Sequence, residues 1–336
     1  QVWAIFQDND NSLWFGTNGG ITVYNNVDTN KIFIHYNQSN NYISNQIRAF
    51  KQDNNNNIWI FTADQGVLKY DNSIKSFVSQ AAINNYIIRH GTTVFEVDKE
   101  NQLWIGSTQG LFQFDLNETR YIGRHSQEKG LAGSDISALY VDSKNSLWVG
   151  SRNAGLTRMK DNDYKIYNLP ERITPTCIVE DKENKIWVGT EIKGVLVVKD
   201  SLLKSYSISD GLLSNSINLI EADDDNNVYI GTNRGLNKIV QAENKIYTYT
   251  RKIGFTGIET KSNASLKDSD GNLWFGTING AIKYSPELSR KCPIEPLTHI
   301  INMTVNGIEK DMVDGLTLRH NQNSIVFNYH SICLTN

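Results

Sequence analysis

A polar turn opening with Asp, followed by three adjacent apolar residues with an aromatic at their centre, recurs along most of the chain. Its fullest form is Asp268-Ser269-Asp270-Gly271-Asn272-Leu273-Trp274-Phe275-Gly276-Thr277-Ile278-Asn279-Gly280. Aligned on the aromatic, the copies fall at Trp14, Trp59, Trp104, Trp148, Trp187, Tyr229 and Trp274, at intervals of 45, 45, 44, 39, 42 and 45 residues. A period of this length marks a fold built from stacked repeats. Within each copy, three consecutive apolar side chains point to both faces of a strand, so that strand is predicted to be buried on both.

The residue six before each aromatic is always Asp: Asp8, Asp53, Asp98, Asp142, Asp181, Asp223 and Asp268. A carboxylate recurring at a turn accepts hydrogen bonds from backbone N–H groups two residues on. Two residues after the aromatic stands Gly in six copies and Phe61 in the second, which predicts a locally altered second unit. A second Gly opens the next strand six or seven residues beyond the aromatic, as at Gly20 and Gly155, a spacing suited to a hairpin turn with positive φ. With an apolar strand before each Asp and a further β-rich stretch after the hairpin, each unit holds four short antiparallel strands. The expected fold is all-β, a seven-bladed β-propeller of four-stranded antiparallel blades. The strand before Asp should be innermost, because the position four before Asp is mostly small: Ala4, Ala49, Val94, Ala138, Cys177, Leu219 and Ala264.

The seventh unit lacks a fourth strand by pattern, since Ser285-Pro286 and the Lys291-Cys292-Pro293 region are poor strand material. The chain begins inside a repeat at Gln1, so it is read as part of something longer, and residues upstream are expected to supply the missing strand. Beyond about residue 297 the period is lost. Residues 300–308 read as a strand with an Asn306-Gly307 turn, and residues 324–329 as another. The expected division is a propeller over residues 1–290 and the truncated start of a β-sandwich-like domain over residues 297–336.

Composition narrows the picture. A hydrophobic fraction of 39 %, with 7 Trp, 15 Tyr and 12 Phe, permits a large core. The formal net charge of -3 is spread without the basic stripe that a nucleic-acid partner requires. No apolar run approaches the ~18 residues of a membrane span. Cys177, Cys292 and Cys333 show no C-x-x-C spacing. Cys177 occupies an alanine slot as a small buried hydrophobe, while Cys292 and Cys333 could pair in an oxidising compartment.

In a four-stranded meander, the turns between second and third strands lie on the same face as the segments leading into each innermost strand. That face gathers the side chains with least structural duty, and the candidate ligand-binding residues are Arg48, Arg89, Arg152, Asn153, Arg172, Glu191, Lys193, Asn233 and Arg234. Guanidinium forks there suit an acidic or hydroxyl-rich ligand. The Asp-rich turns, such as Asp223-Asp224-Asp225, resemble calcium loops but lack the bidentate Glu and are read as turn formers. No nucleophile elbow, phosphate loop or paired-carboxylate motif is present, so no catalytic residue, metal or cofactor is expected. Propeller lyases and glycosidases converge catalytic groups from several blades, which leaves an enzyme as the alternative reading, beside a protein-interaction scaffold.

The repeat, carried by Leu273-Trp274-Phe275-Gly276-Thr277 and its copies over residues 1 to about 290, resembles the two-component regulator propeller. The tail, with Val305-Asn306-Gly307 and Gln322-Asn323-Ser324-Ile325-Val326-Phe327, is similar to the start of the immunoglobulin-like triple-tyrosine domain that follows such propellers. The resemblance implies the periplasmic sensor region of a Bacteroides-type hybrid two-component system. It further implies an oligosaccharide or other glycan ligand, membrane attachment and histidine kinase activity through other parts of a parent chain, and a homodimer of that parent.

Overall fold

A computed structural model describes residues 1–25, 32–37, 39, 46–87, 91–161, 163–167, 169, 173–250, 255, 259–287, 297–311 and 316–332. Two compact units separate by contacts, Gln1–Pro286 and Glu287–Asn336.

The first unit is a β-propeller. Among its described residues are seven antiparallel sheets, six with four strands and the last with three, each in simple sequential order. Their first strands are Val2–Gln7, Ile47–Gln52, Thr92–Val97, Ile136–Val141, Pro175–Glu180, Ile217–Ala222 and Thr260–Lys267. These pack against one another in chain order, and Val2–Gln7 also packs against Thr260–Lys267, so the ring closes on itself. The third strand of the seventh sheet is Gly280–Tyr284, and most of residues 285 to 296, where the pattern predicts no fourth strand, lies outside the described residues.

The triple-apolar strands are enclosed as their pattern requires. Ile58–Thr62, Leu147–Ser151, Ile186–Thr190 and Val228–Thr232 are buried at every position. Six aromatic anchors are buried, while Trp274, on the three-stranded sheet, is partly exposed. Each anchor is tied to its own Asp. The Trp Nε1 or Tyr229 hydroxyl donates to Asp Oδ2 at 2.7 to 3.0 Å in every unit. The other oxygen, Oδ1, accepts from the N–H groups two and four residues on, as in Asp142 with Lys144 at 3.0 Å and Ser146 at 2.7 Å. One carboxylate thus closes the turn and fixes the anchor's rotamer.

The turn also joins neighbouring sheets. Its fourth residue takes left-handed φ in all seven copies: Asn11, Asn56, Asn101, Asn145, Asn184, Asn226 and Gly271. From that position the Asn Oδ1 accepts from the preceding sheet's turn, as from Asn54 N to Asn101 at 2.8 Å and from Lys99 N to Asn145 at 3.0 Å. Across the closure, Ser269 Oγ donates to Asn11 at 3.2 Å.

The Gly after each anchor is needed for close approach. A Cβ on Gly150 would overlap Pro175 of the next first strand, and one on Gly189 would overlap Ile217. Phe61 breaks this pattern, and the structure is altered there: Phe61 packs on Phe95 with ring centroids 5.0 Å apart. Beside them sits the helix α1 (Ala81–Ile87), whose Ile83 and Ile87 are buried in the same cluster. Cys177 is buried as its slot predicts, and burial pushes its thiol up to about 12, so it stays protonated.

In the second unit, Leu297–Val305 lies between Ile308–Lys310 and Ile325–Ile332 in one antiparallel sheet. Asn306 and Gly307 make the expected tight turn with φ of 51° and 79°. A Cys292–Cys333 pairing falls outside the described residues.

Candidate functional site

The turns after the second strands fold back onto the segments that lead into the first strands. Arg152 N donates to Asp135 O at 2.7 Å, Glu191 N to Thr174 O at 3.1 Å, and Ile278 N to Glu259 O at 3.2 Å. Six of the seven turns are stiffened by their own hydroxyl, as where Thr232 Oγ1 donates to Gly235 O and accepts from Arg234 N, both at 3.0 Å, while in the fourth Ser151 Oγ donates to Gly133 O at 2.9 Å. One end of the ring therefore carries turn side chains around the mouth of a central cavity.

That cavity has a volume of about 1160 Å³ and is lined by the first strands. Of the residues singled out by sequence, the structure brings Arg48, Arg152 and Glu191 to its wall. Asn153, Lys193, Asn233 and Arg234 are exposed on the same turns but do not line it. Asn153 also has a structural duty, taking φ of 55° and accepting from Thr174 Oγ1 at 3.4 Å. Arg89 and Arg172 lie outside the described residues.

Deeper in the cavity stands a set of ionisable groups that the sequence reading missed. Lys51 Nζ pairs with Glu96 at 2.6 Å. Glu221 faces the cavity from the sixth first strand, and its carboxyl is raised to about 7 by loss of hydration, opposed by hydrogen bonds from Ser265 and the Ala222 N–H and by Lys267. Tyr140 has its hydroxyl pushed well above the ordinary range, chiefly by burial, with Glu180, Glu221 and Glu96 adding to the effect. The signal for these groups is present in the sequence: two residues before the Asp, where three copies carry Phe6, Val179 and Leu266, the other four carry Lys51, Glu96, Tyr140 and Glu221.

At the mouth, the second residue of the first strand is a β-bulge in each of the first six sheets. A bulge frees a residue from the ladder and re-aims its side chain. Of the residues so placed, Trp3, Arg48, Ser137, Thr176 and Asn218 line the cavity. Only Arg48 was anticipated, because Trp3 reads as an ordinary strand residue until the bulge is seen.

A second concavity, of about 780 Å³, lies between the first and seventh sheets, with Phe15, Tyr24, Phe33 and the partly exposed Trp274 in its wall. The Asp-rich turns are engaged internally. Asp223 accepts from Asp225 N, Asn227 N and Tyr229, and Asp224 pairs with Lys182 at 3.2 Å and Lys267 at 3.0 Å. No group of three metal-ligating side chains stands together among the described residues.

Six stretches, residues 1–19, 41–64, 130–153, 169–191, 211–234 and 257–279, match the profile of the two component regulator propeller. The third repeat, with Trp104, falls outside these matches. No curated protein sequence matches the chain. Among solved structures, the extracellular domain of the putative hybrid two component system BT3049 from B. thetaiotaomicron is similar over 98 % of this chain and 46 % of its own, at 22 % identity and a TM-score of 0.78. The corresponding domain of BT4673 from the same organism is similar over 98 % of this chain and 47 % of its own, at 19 % identity and a TM-score of 0.67. The chain spans about half the length of these domains. Virginiamycin B lyase from Staphylococcus aureus is similar over 84 % of this chain and 93 % of its own, at 11 % identity and a TM-score of 0.66. At these identities the likeness is one of fold.

Proposed function

We propose that the chain is the extracytoplasmic ligand-sensing part of a hybrid two-component sensor, and that its ligand is an oligosaccharide; stretches in six of its seven repeats match the two component regulator propeller profile, which supports this reading. The observation that carries this reading is the cavity mouth: a concave site of about 1160 Å³ with an aromatic, guanidinium groups and amides converging from different sheets. Hydroxyl-rich ligands are bound by such planar polar groups set beside an aromatic surface. The likeness to extracellular domains of hybrid systems supports the same role and a periplasmic location. In this reading the tail opens a triple-tyrosine domain, and kinase activity, membrane attachment and homodimerisation belong to a parent chain. No role with nucleic acid is proposed.

A second reading, a lyase or hydrolase, is favoured by one feature. Glu221 and Tyr140 place acid–base groups inside the cavity, and Glu221 titrates near neutrality. Calorimetric titration of the chain against a panel of oligosaccharides separates the two. Saturable heat with no change in the sugar is expected; conversion of a bound sugar to product overturns the sensor reading in favour of the enzyme, and no heat with any sugar overturns the glycan assignment.

A further inference from the structure

The bulge residues at the cavity mouth divide into two groups. In the fourth to sixth sheets each is hydrogen-bonded to the next first strand. Ser137 Oγ donates to Pro175 O at 2.7 Å, Thr176 Oγ1 to Ile217 O at 2.6 Å, and Asn218 Nδ2 to Thr260 O at 2.8 Å. These three side chains hold the ring together.

On the other side of the mouth the same position does something else. The indole of Trp3 is held by Asn18 through Nε1 at 2.6 Å. The Arg48 guanidinium carbon lies 4.8 Å from the indole ring centre, and the Lys261 ammonium lies 4.9 Å from it. Lys261 reaches this place because the seventh first strand is longer, eight residues against six, and its register is irregular between Thr260 and Ser265. Two cations thus meet on one aromatic ring, contributed by three consecutive sheets across the ring closure. Cation–π attraction opposes the like-charge repulsion between them, and the Glu259 carboxylate beside Lys261 reduces that repulsion further.

The two cations differ in what else they touch. Lys261 is neutralised by Glu259 at 2.8 Å. Arg152, farther round the mouth, is bound to Asp135 at 3.1 Å. Arg48 is exposed and forms no ion pair among the described residues. Its guanidinium is oriented by the Trp3 ring and has its donors available at the mouth of the cavity. A planar fork of this kind matches a carboxylate in bidentate geometry, whereas a neutral hydroxyl satisfies it less well.

We infer that Arg48, supported by Trp3 and Lys261, is the specificity-determining subsite of the cavity and takes the carboxylate of a uronic-acid-containing oligosaccharide. This inference rests on the proposed sensing of oligosaccharides and adds the chemical class. The remaining sugar rings would extend over the cavity mouth toward the exposed Asn263.

The test uses the whole chain and short oligomers of galacturonate, glucuronate and mannuronate, each beside its neutral hexose counterpart, in calorimetric titrations at low salt. At least one uronate series is expected to bind ten-fold or more tightly than its neutral counterpart. Arg48→Gln should weaken that binding at least ten-fold and abolish the preference for charge, Arg48→Lys should retain part of it, and Arg120→Gln, on an outer strand, should change nothing. Circular dichroism and thermal melting confirm that the variants remain folded. Equal affinity for neutral and acidic oligomers, or a uronate affinity that survives Arg48→Gln, overturns the subsite while leaving oligosaccharide sensing in place. Absence of binding by every saccharide overturns both.

Discussion

The two ends of the innermost strands follow opposite rules. At the Asp-turn end the same carboxylate makes the same bonds seven times, and the same left-handed position recurs seven times. At the mouth the bulge position holds Trp3, Arg48, Thr93, Ser137, Thr176 and Asn218, which differ in size, charge and aromaticity. A group repeated in every sheet has a duty that every sheet shares, which is closing its own turn and joining its neighbour. A ligand has no seven-fold symmetry, so the side chains that recognise it must differ around the ring. Stability should therefore reside in the uniform end and selectivity in the divergent one.

The largest expected effect tests the uniform end. Trp148 is 3 % exposed and donates to Asp142 at 2.9 Å. Trp148→Ala removes the aromatic volume and leaves a buried carboxylate oxygen without its donor. Urea denaturation should show a loss of about 3–5 kcal/mol. A loss under ~1 kcal/mol would mean that the anchors are interchangeable filler, and the contrast between the two ends would collapse.

Much of this was legible in the sequence because repetition amplifies weak signals. One Asp before one Trp means little, but seven at the same offset fix the turn, the buried strand and the number of units. The indole-to-carboxylate bond was not legible, since an Asp that closes a turn and an Asp that also holds an indole leave the same pattern. The left-handed Asn positions were visible as recurring residues, yet their bonds to the adjacent sheet exist only after the sheets are stacked. At the mouth the difficulty was different. The expectation that loops carry function finds Arg48, Arg152 and Glu191, but a bulge turns the strand residue Trp3 toward the same cavity, and Lys261 lies against its ring. A bulge depends on the register between two strands, and no single-chain pattern records it. Helix α1 after Phe61 shows the same limit, because a lost Gly announces a widened junction without saying what fills it.

Between the two ends, Glu221 gives a test of intermediate size. Its ordinary pKa of 4.5 rises to about 7 in the folded chain. Below pH ~4.5 the carboxyl is protonated in both states and contributes nothing to the pH dependence. As pH rises toward 7 the unfolded chain ionises first, so the folded state is progressively disfavoured, and the cost is complete above about 7. Glu221→Gln removes that cost. Because the group opens on the cavity rather than being sealed from water, the gain is about 1–2 kcal/mol at pH 8 and near zero at pH 4, read from paired urea curves. An equal effect at both pH values would show that the cavity hydrates Glu221 as bulk water does, and the acid–base basis for the lyase reading would go with it.

The smallest effect sharpens the uniform end by separating two duties of one residue. Asn145 takes φ of 58°, and its Oδ1 accepts from Lys99 N of the preceding sheet. Asn145→Gly keeps the backbone conformation and removes both side-chain bonds between sheets, the one accepted from Lys99 N and the one its Nδ2 donates to Glu100 at 3.3 Å, as Gly271 already does in the seventh turn. It should cost about 0.5–1 kcal/mol, since exposed hydrogen bonds are partly replaced by water. Asn145→Ala removes the same bonds and adds the penalty of a Cβ in the left-handed region, about 1–2 kcal/mol more. If Asn145→Gly proves neutral while Asn145→Ala does not, the Asn serves the backbone alone. The sheets would then be held by Gly-to-strand packing and the bulge hydrogen bonds of the opposite end, which would move part of the ring's stability to the end assigned here to selectivity.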